Sequence, residues 1–230
     1  SMRHPEGKWF GFSQRARVIF YNPENVDPGE ITSYEDLADP RWQGEVCIRS
    51  SNNIYNQSLL ASLIEHHGAE EAEAWAQGVV DNLARQPEGG DSDQIRGVAA
   101  GECDLAVANH YYYVRMLKGD SESDREMAEK VAIIFPNQDD RGTHVNVGGA
   151  GVVNNAPNRE NGIRFLEFLA SDTAQEILAA RNYEFPVVAN INKDDVLDSW
   201  GEFKKDNINI NLLGENNPEA IRIFDRVGWR

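Results

Sequence analysis

A chain of 230 residues, 40% hydrophobic and 26% charged, has the length and composition for one large or two small globular domains with a sizeable core. Its 38 acidic side chains against 22 basic ones leave a net charge of −16, which argues against a nucleic-acid binder and against docking on an anionic membrane surface. An acidic surface does raise the local concentration of cations. No apolar run is long enough to cross a membrane. The start, Ser1-Met2-Arg3-His4-Pro5, has neither the basic nor the apolar region of a signal peptide, and its Ser1-Met2 reads as a cloning remnant, so the compartment is not legible there.

In chain order, Ala16-Arg17-Val18-Ile19-Phe20-Tyr21 reads as a strand from its β-branched and aromatic content. Arg15 and Arg17 alternate along it and share a face, which by itself reads as a solvated one. Thr32-Ser33-Tyr34-Glu35-Asp36-Leu37 has the spacing of a capping box opening a short helix. Residues 45–49 form the next strand. The polar cluster Ser50 to Gln57 follows at once and caps a helix whose apolar face is Leu59, Leu60, Leu63 and Ile64. An amphipathic helix over 69–85, a Gly89-Gly90 break, a helix through Ile95 and Val98 ended by Gly101, and a buried strand over 103–108 come next.

Asn109-His110-Tyr111-Tyr112-Tyr113-Val114-Arg115 stands where that strand hands over to a helix, and it holds three of the seven tyrosines. Beyond it lie a charged loop over 119–126 and a buried strand over 131–136. A Gly-rich extended segment over 145–153 precedes helices over 159–169 and 172–181, with Phe165, Leu166, Phe168, Leu169, Ile177 and Leu178 facing inward. A final helix runs over 218–227. Strands alternating with helices from 16 to 135 predict an open α/β sheet with helices on both faces. Cys47 and Cys103 each open a strand, eight residues before a tyrosine; a disulfide and two buried thiols fit equally well.

Strand ends in open α/β sheets are where ligands bind. Tyr111 and Tyr112 at one such junction, with Tyr55 at a second, could be an aromatic core patch or a set of phenols. Neither G-x-S-x-G, H-E-x-x-H nor C-x-x-C occurs, and nothing in the sequence points to a Ser-His-Asp constellation. Deprotonated phenols are hard anionic oxygens suited to Fe(III), and arginines such as Arg15 and Arg115 can screen them or hold an accompanying anion.

These stretches resemble the periplasmic ferric-iron-binding proteins of ABC importers, the transferrin-like bacterial group, in its multi-tyrosine branch. The likeness is densest in Ser13 to Val18, Arg49 to Leu59, Gly101-Glu102-Cys103-Asp104, Ala108 to Tyr113, Phe135-Pro136-Asn137-Gln138-Asp139 and Gly142-Thr143-His144-Val145-Asn146. It implies a type II periplasmic-binding-protein fold, mainly the C-terminal lobe with a residual part of the N-terminal lobe. Residues 1–15 would hold the start and an interlobe strand, 16–141 the C-terminal-type lobe, 142–192 the residual N-terminal-lobe segment, and 193–230 a helical tail packing on the C-terminal lobe. It further implies Tyr111 and Tyr112 as an adjacent ligand pair, Tyr55 as the third ligand, Arg15 beside the metal or its accessory anion, and Arg115 behind the ligands, with Tyr113 pointing away.

The implied function is a non-enzymatic solute-binding component that carries Fe(III), with an accessory anion such as carbonate, to an inner-membrane ABC permease from the periplasm. Family members begin earlier, with a lobe supplying a further Tyr or His, so an open half-site and a homodimer or domain swap through exposed apolar surface are expected. Another solute on the same fold (a phosphonate, a polyamine or thiamine) is the rival, and a tyrosine-iron enzyme a distant third.

Overall fold

The computed structural model describes residues 2–230, and these fall into two compact units. Among the described residues, unit 1 comprises 2–15 and Val145–Glu202, and unit 2 comprises Ala16–His144 and Phe203–Arg230. The expected tail therefore divides: 193–202 goes with unit 1 and 203–230 with unit 2.

Unit 2 is built on the second half of β1 (Phe10–Tyr21), with β2 (Val46–Cys47), β3 (Leu105–Asn109) and β4 (Ala132–Ile134) in the order β2-β3-β1-β4. Arg17 to Tyr21 pair antiparallel with Asn109 back to Leu105, and Ile19 to Tyr21 with Ile134 back to Ala132. β2 runs parallel to β3, Val46 beside Leu105 and Cys47 beside Ala106. The period of two in a strand sends Ile19, Tyr21, Leu105 and Val107 to one face. There they join Leu59, Leu60 and Leu63 of α1 (Ile54–His67), Ala72, Trp75 and Val79 of α2 (Ala69–Asp81), and Leu213, Ile223 and Phe224 of the last helix, α7 (Ile210–Val227), in one core. Each leucine, isoleucine, valine or phenylalanine among them that leaves water contributes about 1.5–3 kcal/mol. The opposite face carries Phe20, whose ring lies 5.4 Å from that of Tyr113 in α4 (His110–Lys118), beside α3 (Asp91–Ala100).

Local chemistry explains the boundaries. Asn53 caps α1 by accepting from the Tyr55 N–H at 2.9 Å. Gly101 ends α3 at φ 74°, a left-handed conformation that glycine adopts without a side-chain penalty. Ser33 and Asp36 do exchange capping hydrogen bonds, but around a 3-10 turn (Glu35–Ala38) rather than an α-helix.

Other elements also differ from expectation. The charged loop is a helix, α5 (Glu122–Ala128), because Ser121 caps it through the Asp124 N–H and Arg96 grips the Asp124 carboxylate. β4 is only half-buried along its length. The last helix begins at Ile210, not Pro218: Asn209 caps it, Leu213 buries, and the Asn216 amide reaches Glu65 of α1 at 3.0 Å, which together outweigh the hydrogen bond the proline removes.

Cys47 and Cys103 form a disulfide with Cα atoms 5.9 Å apart. They are not register partners, since Cys47 sits beside Ala106 and Cys103 precedes β3. Gly97 of α3 leaves room for the bridge: a Cβ there would lie 3.1 Å from the Cys47 sulfur.

In unit 1, Ser13 and Gln14 of β1 pair antiparallel with Pro186 and Phe185 of β6 (Phe185–Pro186), and β5 (Val145–Ala150) also pairs with β1. α6 (Arg159–Leu169) buries none of its residues, and Phe165, Phe168 and Ile177 are exposed where inward-facing side chains were expected. A small unit buries a lower fraction of its apolar surface, and here Ile163 and Leu166 line an open groove of about 600 Å³ with Phe10 and Phe12.

Candidate metal centre

Both tyrosine-bearing junctions lie at the carboxyl ends of the parallel pair β2 and β3, in unit 2. β3 is buried throughout and passes without a loop into α4, so Tyr111 and Tyr112 occupy its first turn. β2 leads through Arg49 and Ser50 to α1, which places Tyr55 in the first turn of that helix. The Tyr55 and Tyr111 hydroxyl oxygens are 3.2 Å apart, and the Tyr111 and Tyr112 rings lie 4.4 Å centroid to centroid. Tyr111 is almost fully buried, while Tyr55 and Tyr112 are half-buried.

Burial pushes the Tyr111 phenol well above its ordinary pKa, and hydrogen bonding with Tyr112 and Tyr55 pushes the same way. Burial also raises Tyr112. These two phenols are therefore protonated at neutral pH when nothing cationic lies among them.

The Arg115 guanidinium sits 4.7 Å from the Tyr111 ring centroid and 5.8 Å from that of Tyr112, a cation on the aromatic faces behind the hydroxyls. Tyr113 packs on Phe20. Arg15 belongs to unit 1, where its Nε lies 3.2 Å from Glu184 Oε2. The structure thus brings Tyr55, Tyr111, Tyr112 and Arg115 together within unit 2 and holds Arg15 in an ion pair of unit 1.

Arg17 does not lie on a solvated face, as the strand pattern had it. It is fully buried, with Nη1 donating to Asp91 Oδ2 at 2.8 Å and to Asn109 Oδ1 at 3.3 Å. Its Nη2 donates to Asn56 Oδ1 at 2.6 Å and to the Val107 carbonyl at 3.3 Å. Asp91 Oδ1 accepts from Arg49 at 3.1 Å, and Asp91 Oδ2 from the Asn109 N–H at 2.7 Å. Arg17 and Arg49 lie 5.8 and 5.6 Å from the Tyr55 ring centroid. Sequence reasoning missed this set. The available signal was an arginine between the apolar Ala16 and Val18, where a buried partner is obligatory.

His144 is also buried, its Nε2 3.2 Å from Ser58 Oγ. Burial, and then the Arg17 and Arg141 cations, lower its pKa from 6.5 to about 3, so the ring is neutral. Among the described residues, no group of three His, Cys, Asp or Glu side chains is arranged to hold a metal ion.

Residues 1–206 match the family model of bacterial extracellular solute-binding proteins. Iron uptake protein A2 of Synechocystis sp. is 50% identical over 232 residues, covering all of this chain and 67% of that protein. Iron uptake protein A1 of the same organism is 50% identical over 229 residues, covering all of this chain and 64% of that one. Among solved structures, the Trichodesmium protein IdiA (FutA) in complex with iron and citrate ligands superposes with a TM-score of 0.97 at 53% identity, over 100% of this chain and 72% of that one. The chain spans about two thirds of the length of the curated relatives it matches.

Proposed function

Because this chain belongs to the bacterial extracellular solute-binding protein family, we propose that it is the tyrosine-bearing part of an ABC-importer component that carries ferric iron. Its mixed α/β fold with an open sheet is the periplasmic-binding-protein fold. Iron is cargo here. Tyr55, Tyr111 and Tyr112 are its ligands from this chain, and the periplasm and an inner-membrane permease are its setting.

One observation carries the proposal: three phenols converge at the ends of two parallel strands, with the Tyr55 and Tyr111 oxygens 3.2 Å apart. Three phenolates carry three negative charges and are hard donors, matching a trivalent hard cation in both charge and softness. With the site empty, burial keeps Tyr111 and Tyr112 protonated, which avoids packing like charges at hydrogen-bond distance. A 3+ ion reverses that preference and displaces the phenol protons as it enters. Arg115 over the Tyr111 ring offsets the phenolate charge from behind. The solved Trichodesmium relative is a complex with iron and citrate ligands, and an accessory anion such as citrate or carbonate is proposed here.

Adding ferric citrate at neutral pH and recording the visible spectrum tests the proposal. A red to purple phenolate-to-iron charge-transfer band is expected, lost in Tyr111→Phe and weakened or shifted in Tyr112→Phe and Tyr55→Phe. A colourless parent, both as this chain and in a form extended to the length of its relatives, refutes iron binding. A band that survives Tyr111→Phe unchanged refutes the ligand assignment.

A further inference from the structure

We propose that the buried Arg17–Asp91 pair is a positioning element that sets the separation between the two strand-to-helix junctions carrying Tyr55 and Tyr111–Tyr112; the proposal deepens the iron reading and rests on it.

The geometry is that of a fork. Nη1 of Arg17 and the Asp91 carboxylate hold the end of β3 through the Asn109 side chain at 3.3 Å and the Asn109 N–H at 2.7 Å. Asn109 is the residue from which α4 starts, two before Tyr111. Nη2 of the same guanidinium holds Asn56, the neighbour of Tyr55, at 2.6 Å. Asn56 in turn donates to the Arg49 carbonyl at 2.7 Å and to the Ser50 carbonyl at 3.3 Å, which ties the chain leaving β2 to the same fork. A planar guanidinium sets the distance between its two arms, so Arg17 acts as a gauge between the junctions. Both ionic partners are completely excluded from solvent.

Stability alone is a poor reason for such a pair. Replacing a buried ion pair by apolar side chains of similar size is often neutral or stabilising. This network also leaves buried donors without a hydrogen-bond partner, the Arg17 Nε and the Arg49 Nε, each a desolvation cost. Its hydrogen bonds go to residues at or beside the tyrosine-bearing junctions. Side chains that orient metal ligands in this way typically change metal affinity by about 10–100-fold when replaced.

Two variants test the proposal. Arg17→Lys keeps a cation facing Asp91 but has no fork to reach Asn56 as well. Asn56→Ala removes one arm and leaves Arg17 and Asp91 intact, and it decides the matter should Arg17→Lys not fold. Arg226→Gln, which breaks the exposed Arg226–Glu73 pair on other helices, serves as a control for general loosening. Amide hydrogen exchange in the iron-free protein and titration with ferric citrate are the readouts. Expected are faster exchange at both 53–57 and 109–113, ferric affinity lowered about 10–100-fold, and a displaced charge-transfer maximum, with the control unchanged in all three. Folded variants that titrate with the parent's affinity and band position overturn the proposal. Should the parent itself give no band, the iron reading fails, and the exchange comparison at the two junctions decides positioning by itself.

Discussion

Reducing the Cys47–Cys103 bridge should destabilise unit 2 by about 4 kcal/mol. The bridge spans a sequence separation of 56, enclosing α1, α2 and α3. Cross-linking a loop of that size removes about 14 cal/mol/K of denatured-chain entropy, which is about 4 kcal/mol at room temperature. Both sulfurs belong to buried residues under Gly97, so native protein should resist added thiol and react only once opened by denaturant. The assay is a pair of urea curves followed by tryptophan fluorescence, oxidised and reduced, with Cys47→Ala/Cys103→Ala as a reductant-insensitive reference. Trp75 and Trp229, 6.1 Å apart in the unit 2 core, report on this unit. Oxidised and reduced midpoints that imply less than about 1 kcal/mol would refute the entropic account. So would a reference variant that still responded to thiol. A bridge worth this much suits a protein that folds in an oxidising compartment.

Ferric affinity should rise with pH, by up to one log unit per pH unit for each phenol proton displaced, when ferric citrate titrations are repeated across a pH series. The iron-free protein should lose stability above about pH 10. Tyr111 is raised from 10.0 on folding, so its contribution is complete below that value and declines once the unfolded chain ionises first; Tyr111→Phe should flatten this alkaline limb. His144 has the opposite sign. Its pKa falls from 6.5 to about 3 on folding, so its contribution is complete above 6.5 and is lost toward about 3. The slope is about 1.4 kcal/mol per pH unit, and urea midpoints of His144→Gln should fall less steeply in acid than the parent's. Parallel pH curves would contradict this. Gly97→Val should cost about 1–3 kcal/mol in thermal melts, because its Cβ meets the Cys47 sulfur at 3.1 Å. The penalty should shrink in the Cys47→Ala/Cys103→Ala background.

Local chemistry in the chain was enough for much of this. The strand at 16–21, the α1 start at Asn53, the Gly101 stop and the junction at Asn109 follow from β-branched content, capping side chains and a left-handed glycine. Tyr55, Tyr111 and Tyr112 could be singled out because they stand where apolar runs give way to helices, and the resemblance gave those positions a chemistry. Short-range signals were also misread where two fitted. Ser121 and Asp124 looked like loop residues but form a helix cap, and Pro218 looked like a helix start but lies inside α7.

Only the tertiary structure decided which charges are inside. Arg15 and Arg17 are two apart on one strand, yet one is partly exposed beside Glu184 and the other is sealed against Asp91. Strand periodicity assigns a face and says nothing of what covers it. Asp91 is 74 positions from Arg17, and Cys103 lies 56 beyond Cys47. Such pairings are set by the register of β1 and β2 on β3 and by the helices laid across them. Register depends on the whole set of buried side chains packing at once, which no local run of residues specifies. The sequence alone therefore determined where the phenols could stand. Packing determined that the Tyr55 and Tyr111 oxygens come within 3.2 Å, with a buried guanidinium spanning the gap between their helices.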